Sequence, residues 1–378
     1  PMLMTRSRTA LVTGATGYIG GRLIPLLLKQ GHEVRALVRD PLRLEGRSWS
    51  SAVDVVQGDV HDPASLGPAL EGMEAAYYLV HSMCTGPDFA ERDRTGARAF
   101  AEAAGNLRQV VYLGGILPGG ERGVRSSEHL RSRAEVGEIL RSSLPATEIR
   151  AGPIIGSGSA SFEMVRYLTE RLPAMVAPRW IRNQVQPIAV RDVLAYLAAV
   201  LGRDDALGVI DVGTEPLTFK EMMLGYAEVR GLPRVIVPLP VLAPGLAALW
   251  VGLVTPIPNC LAVPLVRGMV RPVVGDMSRA RDLFPDIHPI PYKRAVELAL
   301  QNTLQQQVQT RWSDALGQDE TFRLEDDKGL VREVRTRLVD APPEDVFRNF
   351  ASIGGERGWL TWEWAWWMFL RSCWDWFL

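Results

Sequence analysis

Cysteine is scarce in this 378-residue chain: Cys84, Cys260 and Cys373 are the three present, far apart and without a CxxC pair. That spacing argues against a disulfide framework and a thiolate metal site, and so for a reducing, cytoplasmic setting. An excess of charge of one sign is lacking too. With 42 Lys+Arg against 43 Asp+Glu the formal net charge is −1, which excludes the basic footprint of a nucleic-acid binder. The five histidines, His32, His61, His81, His129 and His288, form no metal-ligand spacing with one another or with carboxylates, and no metal is expected. No signal peptide is expected, because Thr5-Arg6-Ser7-Arg8 passes straight into an apolar strand. A long hydrophobic span is missing as well. Val235 to Val266 carries no charge but six prolines, and its longest proline-free run, Gly245 to Thr255, has 11 residues. A spanning helix needs roughly 20. The stretch is expected to form short helices and turns, either buried or as a surface meeting a membrane or an apolar substrate.

What the chain does have is an alternation of strand and helix patterns. Apolar runs at Thr9 to Thr13, Glu33 to Val38, Val53 to Val56, Ala75 to Val80, Gln109 to Leu113 and Thr147 to Arg150 read as buried strands. Helical spacing fills the gaps, as in Arg22 to Gln30, Pro87 to Gly105 (with Phe89, Ala97, Phe100 and Ala101) and Glu128 to Leu140. Such β–α alternation predicts a doubly wound parallel sheet of the α/β class. From residue 157 to about 300 the pattern is mixed, with a strand at Pro187 to Val190, a helix at Val193 to Leu201 and a strand at Val209 to Val212. A substrate lobe with returning sheet elements is expected there, after a first domain over 1–156. Residues 301–329 are polar and glutamine-rich, a linker by composition. Residues 330–378 begin like a further α+β domain, and seven of the 11 tryptophans fall in the last 20 residues. That aromatic surface needs a partner to bury it, and a cut-short domain and a membrane anchor both fit.

Gly14-Ala15-Thr16-Gly17-Tyr18-Ile19-Gly20 has the spacing GxxGxxG between the first strand and the first helix. Gly14 permits the tight turn, Gly17 lets backbone approach a pyrophosphate, and Gly20 lets helix and strand pack closely. The helix N-terminus then offers N–H groups and a positive dipole end to phosphates, which makes Gly14, Thr16, Gly17, Tyr18 and Ile19 the expected contacts. The second strand ends at Val38, followed by Arg39 rather than an acid. An acid there would bind the ribose 2′-hydroxyl of NAD, whereas a guanidinium suits the 2′-phosphate of NADP(H). Arg43 would assist and Asp40 opposes.

These residues, with Gly58-Asp59-Val60, Val111-Tyr112-Leu113, Arg150 to Gly156 and Gln186 to Val193, resemble the atypical, extended short-chain dehydrogenase/reductase superfamily over about Thr9 to Ala299. The likeness is greatest to NmrA-like and NAD-dependent epimerase-like proteins, some carrying a C-terminal START-like domain to whose opening Leu330 to Trp367 is similar. The resemblance implies a Rossmann fold, with Asp59 and Val60 at adenine, and Leu79, Val80 and His81 under the ribose and pyrophosphate. Gly152, Pro153 and Ile154 would then approach the nicotinamide.

Family enzymes use Tyr-x-x-x-Lys on the helix after the fifth strand, and no tyrosine here has a lysine four residues on. The matching helix reads Glu128-His129 onward to Arg133. The strand-end serine is replaced by Gly114-Gly115. Either His129 is a proton donor with Arg133 stabilising charge or holding the nicotinamide ribose, or catalysis has been lost and both are ordinary polar residues. The helix bearing Met164, Tyr167 and Leu168 offers an apolar stripe, and Arg166, Arg179 and Gln186 are polar exceptions expected to reach a cleft. The leading expectation is an NADPH-dependent oxidoreductase acting on a hydrophobic small molecule, with peripheral membrane contact left open. The other is an NADP(H)-binding regulator or assembly factor without turnover.

Overall fold

The computed structural model describes residues 7–84, 86, 88–119, 126–201, 203, 205–239, 251, 254–305, 307–315, 320–327, 330–337 and 341–351. They fall in two compact units, Pro1–Leu316 and Gly317–Leu378. The first unit begins β1 (Thr9–Thr13), α1 (Gly20–Lys29), β2 (Glu33–Val38), β3 (Asp54–Gln57), α2 (Pro63–Leu70), β4 (Ala75–Tyr78), α3 (Phe89–Ala103), β5 (Gln109–Gly115), α4 (Glu128–Ser143) and β6 (Ala146–Ala151). It continues through β7 (Ile154–Ile155), α5 (Ala160–Arg171), β8 (Ala174–Pro178), β9 (Gln184–Val185), β10 (Ile188–Ala189), α6 (Val190–Val200) and β11 (Gly208–Val212). It ends with β12 (Leu217–Thr218), α7 (Phe219–Arg230), β13 (Val235–Leu239), α8 (Asn259–Met269), α9 (Ser278–Leu283) and α10 (Tyr292–Leu304).

Seven strands form one parallel sheet in the order β11-β6-β5-β4-β1-β2-β3. Strands buried on both faces need apolar residues at every position, which is why β1 and β4 read as continuous runs rather than alternations. Chain order reverses between β1 and β4, and a crevice outside their carboxyl ends is the switch point where this topology binds ligands. One apolar cluster fills the face under α1 and α6, with Leu23, Ile24, Tyr196 and Leu197. A second lies under α2, α3 and α4, with Leu66, Phe100 and Leu140. A third joins α5, α7, α8 and α10 around Phe162, Met222, Tyr226 and Val296, forming the smaller lobe.

Two readings of the sequence need correction. The glutamine-rich stretch from 301 is helical through Leu304 and then lies on the first unit instead of forming a linker. Arg22 Nε donates to Thr310 Oγ1 (2.7 Å), Thr310 Oγ1 donates to the Tyr18 carbonyl (2.8 Å), and the Trp312 N–H donates to the Gly158 carbonyl (2.8 Å). Thr310 and the Trp312 backbone are bonded to protein here, whereas composition alone reads the stretch as solvated. The cysteines also pair: Cys84, after β4, is disulfide-bonded to Cys260 at the start of α8, with Cα atoms 5.2 Å apart across a sequence separation of 176. Spacing along the chain is blind to a contact made by the fold.

The uncharged stretch splits in two. Leu261, Ala262 and Val266 of α8 are buried, while Val235 and Val237 of β13 are exposed beside Val176 of its parallel partner β8. Among the described residues no helix is long and apolar enough to cross a membrane. In the second unit β14 (Glu320–Asp327) pairs antiparallel with β15 (Leu330–Arg337), followed by α11 (Pro343–Ala351), so pairing begins ahead of the expected start at 330. The tryptophan-rich segment and the rest of the START-like similarity lie outside the described residues.

Candidate active site

A cleft of about 490 Å³ opens at the switch point and is walled by the glycine turn at one end and by the smaller lobe at the other. Gly14 sits at φ 70°, and a Cβ there would stand 2.6 Å from the Leu79 carbonyl oxygen, so β1 and β4 approach this closely only through glycine. A Cβ on Gly20 would overlap the Gly14 carbonyl, and the Gly17 N–H donates to that same oxygen (2.9 Å). Helix α1 starts without a side-chain cap at Ile19 and without an acid in its first turn, which leaves its positive end to an anion. This cradle fits a dinucleotide. Thr16, Gly17, Tyr18 and Ile19 line it. Arg22 lies 4.6 Å from the Tyr18 ring centre, and burial pushes the Tyr18 phenol up to about 12 against the opposing charge of Arg22.

At the ends of β2 and β3, Arg39, Asp59 and Val60 line the cleft. Asp40 is turned away, accepting the Leu42 N–H (3.0 Å). Arg43 is engaged too, donating to the Asp314 carbonyl, while Arg47 pairs with the Asp314 carboxylate (2.8 Å). The exposed side chain of Arg39 makes no hydrogen bond or ion pair among the described residues. Burial would raise the Asp59 carboxyl, but hydrogen bonds from the His61 N–H (3.0 Å) and ring (2.8 Å) outweigh it and hold the group below the usual carboxylate range. Leu79, Val80 and His81 follow along the wall. Thr13 Oγ1, accepting the Leu79 N–H (3.1 Å), fixes that backbone.

Gly152, Pro153 and Ile154 line the same cleft as His129, Arg133 and the β5 residues Leu113, Gly114 and Gly115. A Cβ on Gly152 would overlap the Gln186 carbonyl, so this crossing also depends on glycine. Gly114 stands where the strand-end serine is missing, and a Cβ there would lie 2.5 Å from Glu148 Oε1. Glu148, 1% exposed, pairs with Arg150 (2.8 Å) and Arg141 and fills that space. A side chain at position 114 would have to displace this buried carboxylate.

His129, 8% exposed, is hydrogen-bonded through Nδ1 to His81 Nε2 (3.0 Å), and His81 Nδ1 meets Asp93 Oδ2 (2.8 Å). Asp93 is buried and also accepts the Ser82 N–H (2.9 Å) and the Ser132 hydroxyl (3.1 Å). Burial holds the His129 imidazole well below the usual histidine value, helped by the nearby charges of His81 and Arg133. Burial also lowers His81, with Asp93 opposing. Arg133 donates to the Leu113 carbonyl, and its Nε is buried without a partner. Composition could not flag Asp93, yet a signal existed: it lies four residues from both Phe89 and Ala97, on the buried stripe of α3.

Beyond His129 the cleft becomes apolar, with Met164, Phe219, Met222, Leu261, Leu265 and Trp312. The polar residues expected there are elsewhere. Arg166 pairs with Glu163 and Glu170 (3.5 Å each), Gln186 bonds the Thr214 carbonyl and Gly275 N–H, and Arg179 is exposed outside the cleft. Helix neighbours pair with Arg166 and loop groups with Gln186, while Arg179 faces solvent. Among the described residues no group of histidines, cysteines or carboxylates could hold a metal.

A family model described as NAD(P)H-binding matches residues 14–144. A ceramide reductase of Caulobacter vibrioides (strain NA1000 / CB15N) is 31% identical over 233 residues, 60% of this chain and 72% of that protein. A (4-alkanoyl-5-oxo-2,5-dihydrofuran-3-yl)methyl phosphate reductase of Streptomyces griseus subsp. griseus is 30% identical over 233 residues, 59% of this chain and 74% of its own length. A short-chain dehydrogenase/reductase superfamily protein from Agrobacterium tumefaciens, solved with bound NAD, shares the fold at TM-score 0.59 and 17% identity, over 79% of this chain and 98% of that one. With the glycine cradle at the switch point and reductases among its relatives, this chain belongs to the NAD(P)-binding short-chain dehydrogenase/reductase superfamily, among its extended, epimerase-like members.

Proposed function

We propose that this protein is an NADPH-dependent reductase of a hydrophobic carbonyl compound. The observation that carries the reading is one continuous cleft that joins the glycine cradle, His129 and an apolar chamber. The glycine cradle and Arg39 would hold NADPH, which would supply a hydride for the carbonyl carbon. The chain's own part is to hold the carbonyl beside His129, whose ring takes the place of the tyrosine and returns a proton to the oxygen. Arg133, one turn along α4, faces the developing negative charge with its buried Nε. Met164, Phe219 and Leu265 exclude water and favour an aliphatic substrate body. Two relatives named as reductases, one of a ceramide, support an apolar substrate. NADPH oxidation followed with long-chain ketones is the direct test. Turnover is expected with a long aliphatic chain and to fall at least tenfold when the chain is shortened to acetone, which forfeits about 0.8 kcal/mol per buried methylene. Tight NADPH binding with no consumption in cell extract would favour the other reading, an NmrA-like regulator, which the vacated tyrosine, lysine and serine positions support.

The cofactor preference rests on Arg39. With Asp40 capping a turn and Arg43 and Arg47 held by Asp314, Arg39 is the guanidinium open at the end of β2. NADPH is expected to bind more tightly than NADH. Losing a charge-assisted contact costs about 1.5–3 kcal/mol, so Arg39→Ala should erase roughly tenfold or more of that preference. Equal affinities for the two cofactors in the unmodified protein, measured by calorimetry, would sink the assignment.

A further inference from the structure

We propose that the proton delivered to the substrate oxygen is stored on His81 beside Asp93 and passes through His129 as a neutral imidazole. The proposal rests on the reductase reading for its purpose, and on hydrogen bonds alone for its geometry. Asp93 receives two donors, the Ser82 N–H on one oxygen and the Ser132 hydroxyl on the other, and His81 Nδ1 lies 2.8 Å from that second oxygen. Burial would raise the Asp93 carboxyl, but its hydrogen bonds with His81, Ser82 and Ser132 hold it below the usual carboxylate range, so it is ionised. His81 Nδ1 must then carry hydrogen, which leaves the 3.0 Å contact between His81 Nε2 and His129 Nδ1 to share a single one.

Two states follow. With both rings neutral, His129 Nδ1 donates to His81 Nε2, and His129 Nε2 holds a lone pair. With one proton added, His81 carries hydrogen on both nitrogens, donates from Nε2 to His129 Nδ1, and His129 holds its hydrogen on Nε2. The charge belongs on His81, because the titratable and charged groups facing it are Asp93 from α3 and His129 and Arg133 from α4. Among the described residues the charged or titratable groups acting on His129 are His81 and Arg133, with no carboxylate. In the reducing step the substrate oxygen takes hydrogen from His129 Nε2 while His129 Nδ1 takes one from His81 Nε2. One N–H and one O–H form as two N–H bonds break, and the charges on His81 and oxygen vanish together. A ring too deeply buried to become a cation can thus still give a proton. The side chain of His81 is 17% exposed, so it can be reprotonated from water.

Imidazole ¹⁵N NMR of the full chain, with and without NADP⁺ and with no substrate present, tests this separately from catalysis. On acidification His81 is expected to gain the first proton while His129 stays neutral and moves its hydrogen from Nδ1 to Nε2. Asp93→Asn should lower the His81 midpoint by about 1–3 pH units, the usual effect of losing an adjacent opposite charge. A cation appearing first on His129, a His129 ring that keeps one tautomer throughout, or an unmoved His81 midpoint in Asp93→Asn would overturn the relay. If Asp93→Asn does not fold, His81→Gln serves: it keeps an amide at the contact but stores no proton, and the His129 tautomer change must disappear. A protein that passes these tests yet reduces no ketone would overturn the reductase reading and leave the relay standing.

Discussion

Replacing His129 with alanine is expected to lower turnover in the reducing direction by about 10²–10⁴-fold, the usual contribution of a positioned general acid. That range corresponds to roughly 3–5 kcal/mol of transition-state stabilisation. NADPH affinity should barely change, because the glycine cradle and Arg39 lie at the other end of the cleft. The split matters: a fall in kcat with NADPH binding intact is the mark of an interaction made only in the transition state. His129→Ala also removes the partner of His81, and a lost hydrogen bond costs about 0.5–1.5 kcal/mol of stability, so thermal melts must accompany the kinetics. His129→Tyr addresses the same point from the family's side. Without a lysine one turn on, the phenol keeps a pKa near about 10 and should restore little. Unchanged turnover in folded His129→Ala would remove His129 from the chemistry and leave the regulator as the better account.

The parts of the fold set by local pattern were legible. Strand β1 runs Thr9–Thr13 and β2 runs Glu33–Val38, as the apolar runs indicate, because each ends where a glycine turn or an exposed arginine stops burial. The cradle and Arg39 were legible for the same reason: the chemistry of a phosphate turn is local. What was not legible is long-range. Asp93 looked like one more charge on α3 until His81 and Ser132 closed around it from other elements. Cys84 and Cys260 are brought together by the loop after β4 and the start of α8. Thr310 and Trp312 read as linker because nothing in their neighbourhood along the chain announces Arg22 or Gly158 as partners. The packing of the buried Glu148 carboxylate against Gly114 is likewise a contact that sequence could not supply.

Gly14→Val should abolish cofactor binding, lowering NADPH affinity by at least about 100-fold, which is about 2.7 kcal/mol. Two costs combine. At φ 70° a β-branched residue is a strong outlier, and left-handed backbone alone costs an L-residue about 1–2 kcal/mol. The new Cβ would also stand 2.6 Å from the Leu79 carbonyl oxygen, backbone against side chain with no flexible end to yield. Relief requires the turn to swing off β4, and that breaks the Gly17 N–H bond to the Gly14 carbonyl and moves the start of α1 away from the phosphates it would hold. The matched control is Gly31→Ala at the end of α1, where φ is 85° but nothing lies within 4 Å of the added carbon. It bears the backbone strain without the collision, so a melting temperature lowered by a few degrees with NADPH affinity intact is expected there. Calorimetry and melting curves on the two variants separate strain from site. If Gly14→Val binds NADPH as tightly as the unmodified chain, the cofactor does not rest on this turn, and the assignment of the cleft fails with it.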